Sequence, residues 1–397
     1  MRNNDSIAII SDLVGFQTVS RNSNSDLLAY VADYLSEHGV TSDILWNDDR
    51  SKGNLWATIG PADVPGVILS GHSDVVPVDG QDWTSDPFVA RITDSRIFGR
   101  GTCDMKGFIG IVLAAVPDLV TRDLKAPIHI AISYDEEVGC TGVSSLIDRL
   151  AALPVKPALC IVGEPTSMQV IVGHKGIGLY RVTVTGSAAH SSQAPYAVNA
   201  IEYAAQTIVF IKSLSTEQAH AGPHDHDYDV SHSTISVTTI EGGAAVNIIP
   251  ERCVFQFDIR SLPQLETEAV LARIQAFLDA EIRPAMRATS PASGVQIEPL
   301  VEIVGLDTEV THPAVTFLKT LVGRNDHAKV AYCTEAGLFS TQAGIVSLVC
   351  GPGSMEQGHK PDEFLALSQI ERCEEMISRL ADRLEDDGLP WSAELRR

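Results

Sequence analysis

The sequence predicts an α/β protein: a layered α/β domain built on a helix-flanked sheet, interrupted by an inserted ferredoxin-like α+β unit of βαββαβ order. Three observations carry this. At 397 residues and 44% hydrophobic content, the chain exceeds the roughly 250–300 residues at which a single core stops growing, so two cores are expected. Through about residue 175 short β-rich runs alternate with amphipathic stretches, the pattern of strands and helices in layers. From Gly176 the pattern becomes β-α-β-β-α-β, after which polar clusters resume. The expected division is 1–175, 176–302 and 303–397, the last segment returning to the first domain.

In the first segment, Leu27 to His38 repeats apolar residues at helical spacing and stops at Gly39, a residue suited to a left-handed helix end. Gly66–Ser70 (GVILS), Ile128–Ser133 (IHIAIS) and Ala158–Val162 (ALCIV) read as buried strands, each followed by a polar cluster. His72, the run Asp135-Glu136-Glu137 and Glu164 therefore fall at strand ends, where ligand sites of open α/β sheets gather. In the inserted unit, strands are expected over Gly178–Thr185, Thr234–Ile240, Cys253–Ile259 and Val295–Val301, with helices over Val198–Ile211 and Leu265–Ile282. That order is ferredoxin-like. The polar stretch Ser213–Ser233, with His220, His224, His226 and His232, reads as a solvated loop rather than a metal tract.

Composition narrows the function. With 29 basic and 51 acidic residues the net charge is −22, which repels phosphate backbones and anionic lipid heads, so neither nucleic acid nor a membrane is expected as partner. The longest apolar run, near Ile109–Val116, is far short of the ~20 residues of a membrane span. The start, MRNNDSIAII, lacks a leader pattern, and the seven cysteines are odd in number, scattered and free of C-x-x-C pairs. Both suit a reducing, cytoplasmic setting.

Five clusters carry candidate chemistry. His72 in GHSDVVP is read as a metal ligand, with Asp74 two residues on as the acceptor that fixes its ring. Asp104 in GRGTCDMKG could cap the helix that follows; a carboxylate can also bridge two cations, and a site with five protein ligands needs one shared residue. Three consecutive acids, Asp135 to Glu137, repel one another unless cations or protons offset them; Glu137 is assigned to metal and Glu136 to protons. Glu164, held extended by Pro165, and His359 in the Gly-rich loop CGPGSMEQGHKPDEF complete the set. Such nitrogen and carboxylate donors suit Zn²⁺ or Co²⁺, so a metal-dependent hydrolase is expected.

GHSDVVP, GRGTCDMKG, DEEVG, GEPT and the GHKPDEF loop together resemble the di-zinc family of amidohydrolases, over nearly the whole chain. The resemblance implies a mixed-sheet catalytic domain of zinc-peptidase type, an inserted dimerisation or lid domain, and a homodimer. It implies two ions: His72, Asp104 and Glu164 on one, Asp104, Glu137 and His359 on the other, with Glu136 as general base. A histidine matching His190 (GSAAHSS) would polarise the scissile carbonyl of a second copy; read alone, it is a helix-start residue. Arg260 (DIRSLP) would clamp the substrate α-carboxylate unless it pairs with Asp258, Asn247 (AVNIIP) would contact the same group unless it serves a turn, and Glu335 (YCTEAG) would meet a side-chain amine besides complementing a helix N-terminus. The implied reaction is hydrolysis of N2-acetyl-L-ornithine to L-ornithine and acetate, a step of arginine biosynthesis. A sibling acyl amino acid amidase, an aminopeptidase and an inactive binding protein are the other readings. Cys103 departs from the family's small non-thiol residue, as filler or as a thiol exposing the site to oxidants or soft metals.

Overall fold

The computed structural model describes residues 3–389 and 391; Met1 and Arg2, at the head of the stretch read for a leader, lie outside them. The chain divides into two compact units. One takes the chain up to Gly173, Leu306–Lys329 and the chain from Thr334, and the other takes His174–Gly305 with Val330–Cys333.

The first unit is built on a nine-stranded mixed sheet. Its strands run in the order Ser42–Trp46, Gly53–Ile59, Ile128–Ser133, Val67–His72, Leu159–Pro165, Ser347–Gly351, Ile171–His174 and Leu306–Asp307, with Ala328–Val330 beside Ile171–His174. The central pairings are parallel: Val67–His72 with both Ile128–Ser133 and Leu159–Pro165, and Leu159–Pro165 with Ser347–Gly351. Every residue of these four strands is buried, as expected where helices cover both faces. The helix Leu367–Asp386 shows how such cover is encoded: Ile370, Cys373, Ile377, Leu380 and Leu384 recur at helical spacing and are buried, while its other face is charged.

The second unit is an antiparallel four-stranded sheet in the order Thr234–Gly242, Arg252–Ser261, Gly176–Thr185, Gly294–Ile303. Numbered along the chain this is 4-1-3-2 read from the far edge, the ferredoxin-like order. Gly176–Thr185 and Arg252–Ser261 alternate buried and half-buried residues, so one face holds the core of Tyr180, Val182, Phe255 and Phe257 with the helices.

Two expectations are corrected. The expected loop Ser213–Ser233 is helical in its first part, because the helix runs Ala200–Ala221. Ala204, Thr207, Ile211, Leu214 and Gln218 keep one buried stripe, and Ser213 and Thr216 donate back to the carbonyls of Phe210 and Lys212, so polar residues sit in the helix at no loss of pairing. The strand expected to stop at Val162 continues to Pro165, placing Glu164 inside it rather than after it. Among the described residues no helix is long and apolar enough to cross a membrane.

Candidate metal centre

The four parallel strands end at one edge of the sheet, and each delivers a residue there. His72 is the last residue of its strand, Glu164 the second-last of its own, Glu136 and Glu137 follow Ile128–Ser133, and His359 lies in the loop after Ser347–Gly351. Asp104 comes from the turn before the helix Lys106–Leu119, which lies close to the sheet because Gly163 has no side chain: a Cβ there would stand 2.1 Å from the Phe108 ring. The residue before this helix, its N-cap, is Met105, so the capping alternative for Asp104 is not the one realised.

Asp104 is nearly fully buried, and its two oxygens face different histidines. Oδ1 lies 3.1 Å from His72 Nε2 and Oδ2 lies 3.2 Å from His359 Nε2. Around the first contact, Glu164 Oε1 is 3.7 Å from His72 Nε2; around the second, Glu137 Oε2 is 3.0 Å from His359 Nε2. Two sets of donors lie within 4.8 Å of one another: His72, Asp104 and Glu137, and His72, Glu136 and Glu164. Glu136 is thus near enough to be a donor as well as a base.

The donor chemistry fits divalent cations. Four carboxylates, Asp104, Glu136, Glu137 and Glu164, face two imidazoles, and Glu164 Oε1 is buried with no hydrogen-bond partner, an arrangement that is costly unless a cation offsets it. Protons take up the imbalance. Burial, then the Asp104 charge, drives Glu164 well above the usual carboxylate range, and burial likewise raises Glu136 and Glu137. Burial alone would raise Asp104, yet His359 and His72 hold it far below its ordinary value. His359 is pushed up to about 10 by Asp104 and Glu137. His72, despite a burial that disfavours its charge, is carried well above its ordinary value by Asp104 and Asp74.

Asp74 does more than the sequence suggested, and by a different contact. The closest partner of His72 Nδ1 is the main-chain carbonyl of Asp74 at 2.9 Å, with the carboxylate at 3.5 Å. A carbonyl can only accept, so Nδ1 donates to it; the charged ring of the metal-free cluster also donates from Nε2 to Asp104 Oδ1, and loss of that second proton would leave the Nε2 lone pair for a cation. The Asp74 carboxylate accepts instead from the amides of Glu136 and Glu137, at 3.1 and 3.3 Å, and from Ser20 Oγ at 2.7 Å. It thereby shapes the acidic turn. Within that turn Asp135, at φ 57, is paired with Lys52 at 2.6 Å, which neutralises the first of the three acids and leaves the other two to the centre.

The remaining candidates fall into two groups. Glu335 belongs to the first unit. It is buried, Oε2 accepts from Ser133 Oγ at 2.8 Å, Oε1 has no partner, and burial raises its carboxyl to about 7. It precedes the helix Ala336–Thr341 without a side-chain cap bond. Cys103 is buried, donates to the Ser354 carbonyl at 3.4 Å and is driven well above an ordinary thiol by burial and then by Glu363, so it is a neutral filler rather than a reactive thiolate. His190, Asn247 and Arg260 lie in the second unit. His190 Nδ1 accepts from the Ser192 amide at 3.3 Å, which puts the proton of its neutral ring on Nε2. Asn247 sits in an exposed turn, and Arg260 Nε pairs with Asp258 at 2.8 Å, the alternative weighed for it. His224 pairs with His232 in an isolated bridge, and none of the four tract histidines belongs to a donor group close enough for metal among the described residues. Sequence reasoning missed Ser20 and Lys52, which hold Asp74 and Asp135, Gln81 and Glu363, which bond to the main chain of His359 and Asp104, and Arg100, which joins Gln81 to Glu363; of these, Arg100 and Glu363 stood inside motifs already singled out.

Comparison with known proteins agrees with this architecture. Residues 68–383 match the profile of peptidase family M20/M25/M40. The chain is 34% identical over 362 residues to the acetylornithine deacetylase of Proteus mirabilis, covering 91% of this chain and 90% of that one. Against the acetylornithine deacetylase of Pasteurella multocida it is 34% identical, with 90% and 91% covered. Among solved structures, the aminopeptidase PepT of Bacillus cereus superposes with a TM-score of 0.76 at 18% identity, over 97% of this chain and 99% of that one. The M20 family metallo-carboxypeptidase Sso-CP2 of Sulfolobus solfataricus gives 0.74 at 18% identity, over 96% and 99%.

Proposed function

The chain belongs to peptidase family M20/M25/M40 and is a metal-dependent hydrolase, and from that premise we propose that it hydrolyses N2-acetyl-L-ornithine to L-ornithine and acetate. The observation that carries the hydrolytic site is Asp104 with one oxygen turned to His72 and the other to His359. Likeness at 34% identity, over about nine-tenths of the chain, to relatives named for that activity supports the substrate. In this reading His72, Asp104 and Glu164 would hold one ion and Asp104, Glu137 and His359 the other, as Zn²⁺ or Co²⁺. Bound there, the ions would acidify a shared water and polarise the acyl carbonyl.

The chain's own residues then do the following. Glu136, a stronger base than an exposed glutamate because burial raises its carboxyl, takes the proton of the attacking water and returns it to the departing amine. Asp74 keeps Glu136 in place through its main-chain amide. His190, with its proton on Nε2, is proposed to donate to the developing oxyanion in a homodimer. Arg260 and Asn247 are proposed to bind the substrate α-carboxylate, and Glu335, with a buried unpaired oxygen, to receive the side-chain ammonium of ornithine. The inserted unit is proposed as the dimerising and lid unit, and the protein as a cytoplasmic enzyme feeding arginine biosynthesis.

The test is a substrate panel on protein reconstituted with Zn²⁺ or Co²⁺: N2-acetyl-L-ornithine, N-succinyl-LL-diaminopimelate, a neutral N-acetyl amino acid and an aminoacyl anilide. The acetylornithine reading expects the highest kcat/KM for the first. Preference for the second or third would make the chain a sibling amidohydrolase, cleavage of the anilide an aminopeptidase, and no turnover of any a binding protein.

A further inference from the structure

The side chains that touch neither the two histidines nor the carboxylates of the centre include one buried ion pair that reaches both halves of it. Glu363 is 1% exposed and Arg100 is 1% exposed. Arg100 Nη1 donates to Glu363 Oε2 at 2.5 Å. The other oxygen, Glu363 Oε1, accepts from the amides of Cys103 and Asp104 at 2.8 and 3.1 Å, and so fixes the main chain that presents the aspartate between the histidines. The other arm of the guanidinium, Arg100 Nη2, donates to Gln81 Oε1 at 2.7 Å. Gln81 Oε1 also accepts from Trp83 Nε1 at 3.0 Å, and Gln81 Nε2 donates to the main-chain carbonyl of His359 at 3.0 Å. The guanidinium lies 5.1 Å from the centre of the Trp83 ring, which packs it in place.

We propose that Arg100, Glu363 and Gln81 are positioning residues that set the separation of Asp104 and His359, and that Gln81 acts selectively on the ion held by Asp104, Glu137 and His359. A buried ion pair is poor value for stability alone, whereas here Glu363 ends on the main-chain amide of one proposed ligand, Asp104, and Arg100 reaches the main chain of another, His359, through Gln81. His359 needs the tether more than the other ligands do. Its side chain is 45% exposed against 1% for His72, and it sits in a loop at φ 61 rather than at the end of a buried strand. Once Gln81 lets go of its carbonyl, the imidazole is left to its contacts with Asp104 and Glu137. The histidine of the other half-site keeps both its strand and its bond to the Asp74 carbonyl. This inference rests on the two-ion reading above.

The experiment is a Zn²⁺ titration of metal-free protein, following stoichiometry and stepwise affinity by calorimetry, with the melting temperature of the metal-free forms measured alongside. Wild type, Gln81→Met and Glu363→Gln are compared. Gln81→Met keeps the length of the side chain and removes its hydrogen bonds at a half-buried position, so it stays folded and informative even where Glu363→Gln does not. Expected is two ions on wild type, and in Gln81→Met a second ion weakened on the order of tenfold, as for other outer contacts of metal ligands, with the first ion and the metal-free melting temperature unchanged. Two ions bound by Gln81→Met as tightly as by wild type would overturn the positioning role while leaving the two-ion reading intact. So would equal weakening of both ions with a lowered metal-free melting temperature, the mark of a merely structural residue. Wild type binding fewer than two ions would sink the two-ion reading and this proposal with it.

Discussion

Each acid of the run Asp135 to Glu137 is held by a different contact, and those contacts separate roles that residue type alone leaves mixed. Asp135 is taken by Lys52, Glu137 by His359, and Glu136 is held through its main-chain amide by Asp74, while its carboxylate accepts a long 3.6 Å contact from the Cys140 thiol and is the group proposed to move protons. Glu136→Gln is therefore expected to lower kcat by about 10²–10⁴, the range for a general base, while Zn²⁺ stoichiometry stays at the wild-type value; full activity would remove Glu136 from the role. The same charges give the metal-free protein a signed pH dependence. His359 rises from 6.5 to about 10, so the stability it lends is complete below its unfolded value and is lost as pH climbs toward 10. The raised carboxyls of Glu136 and Glu164 act in the same direction, since burial favours their neutral forms. Thermal melting of metal-free protein is expected to fall from pH 6.5 to pH 9, and that of the metal-loaded protein to fall less; a metal-free melting temperature that rises over this range would contradict the cluster's assigned protonation. The ligand types were legible because His72, Asp104, Glu164 and His359 stand in distinct motifs. The contact that orients His72 was not, since a sequence gives the Asp74 carboxylate and its own carbonyl equal claim.

At the scale of elements, the site depends on how closely one helix approaches the sheet. Gly163 lets Phe108 lie against the strand, and Asp104 precedes that helix. Gly163→Ala forces a methyl group into the Phe108 ring and is expected to destabilise the first unit by about 1–3 kcal/mol, as overpacking does, and to weaken Zn²⁺ binding with it. Calorimetry and metal titration on the variant check both, and an unchanged affinity would separate the helix position from the site. Strand identity was readable because the four central strands are short, apolar and buried on both faces, yet their ends were not. Glu164 reads as following its strand, but the pairing of Leu159–Pro165 with Ser347–Gly351 carries the strand through it, and a partner nearly two hundred residues away leaves no local mark. The long helix Ala200–Ala221 was cut short for the opposite reason: its last turns are locally polar, and only the i+3/i+4 stripe down to Gln218 shows that they still face a core.

For the whole molecule, all five proposed metal ligands and Glu136 belong to the first unit, whereas His190, Asn247 and Arg260 belong to the second. Two units with separate cores need not melt together. Ion binding adds roughly 2.7 kcal/mol at a free concentration one hundred times the dissociation constant, and it acts on the unit that holds the ligands. Chelation is therefore expected to lower one calorimetric transition and leave the other in place; a shift of only the transition assigned to the second unit, by its isolated variants, would contradict the ligand set. The measurement that bears most directly on the centre is the anomalous scattering of crystals grown with Zn²⁺. Two peaks about 3.5–4 Å apart, the spacing of two-ion sites, are expected on either side of Asp104, one with His72 and Glu164 and the other with Glu137 and His359. A single peak, or two peaks that do not share Asp104, would contradict that arrangement.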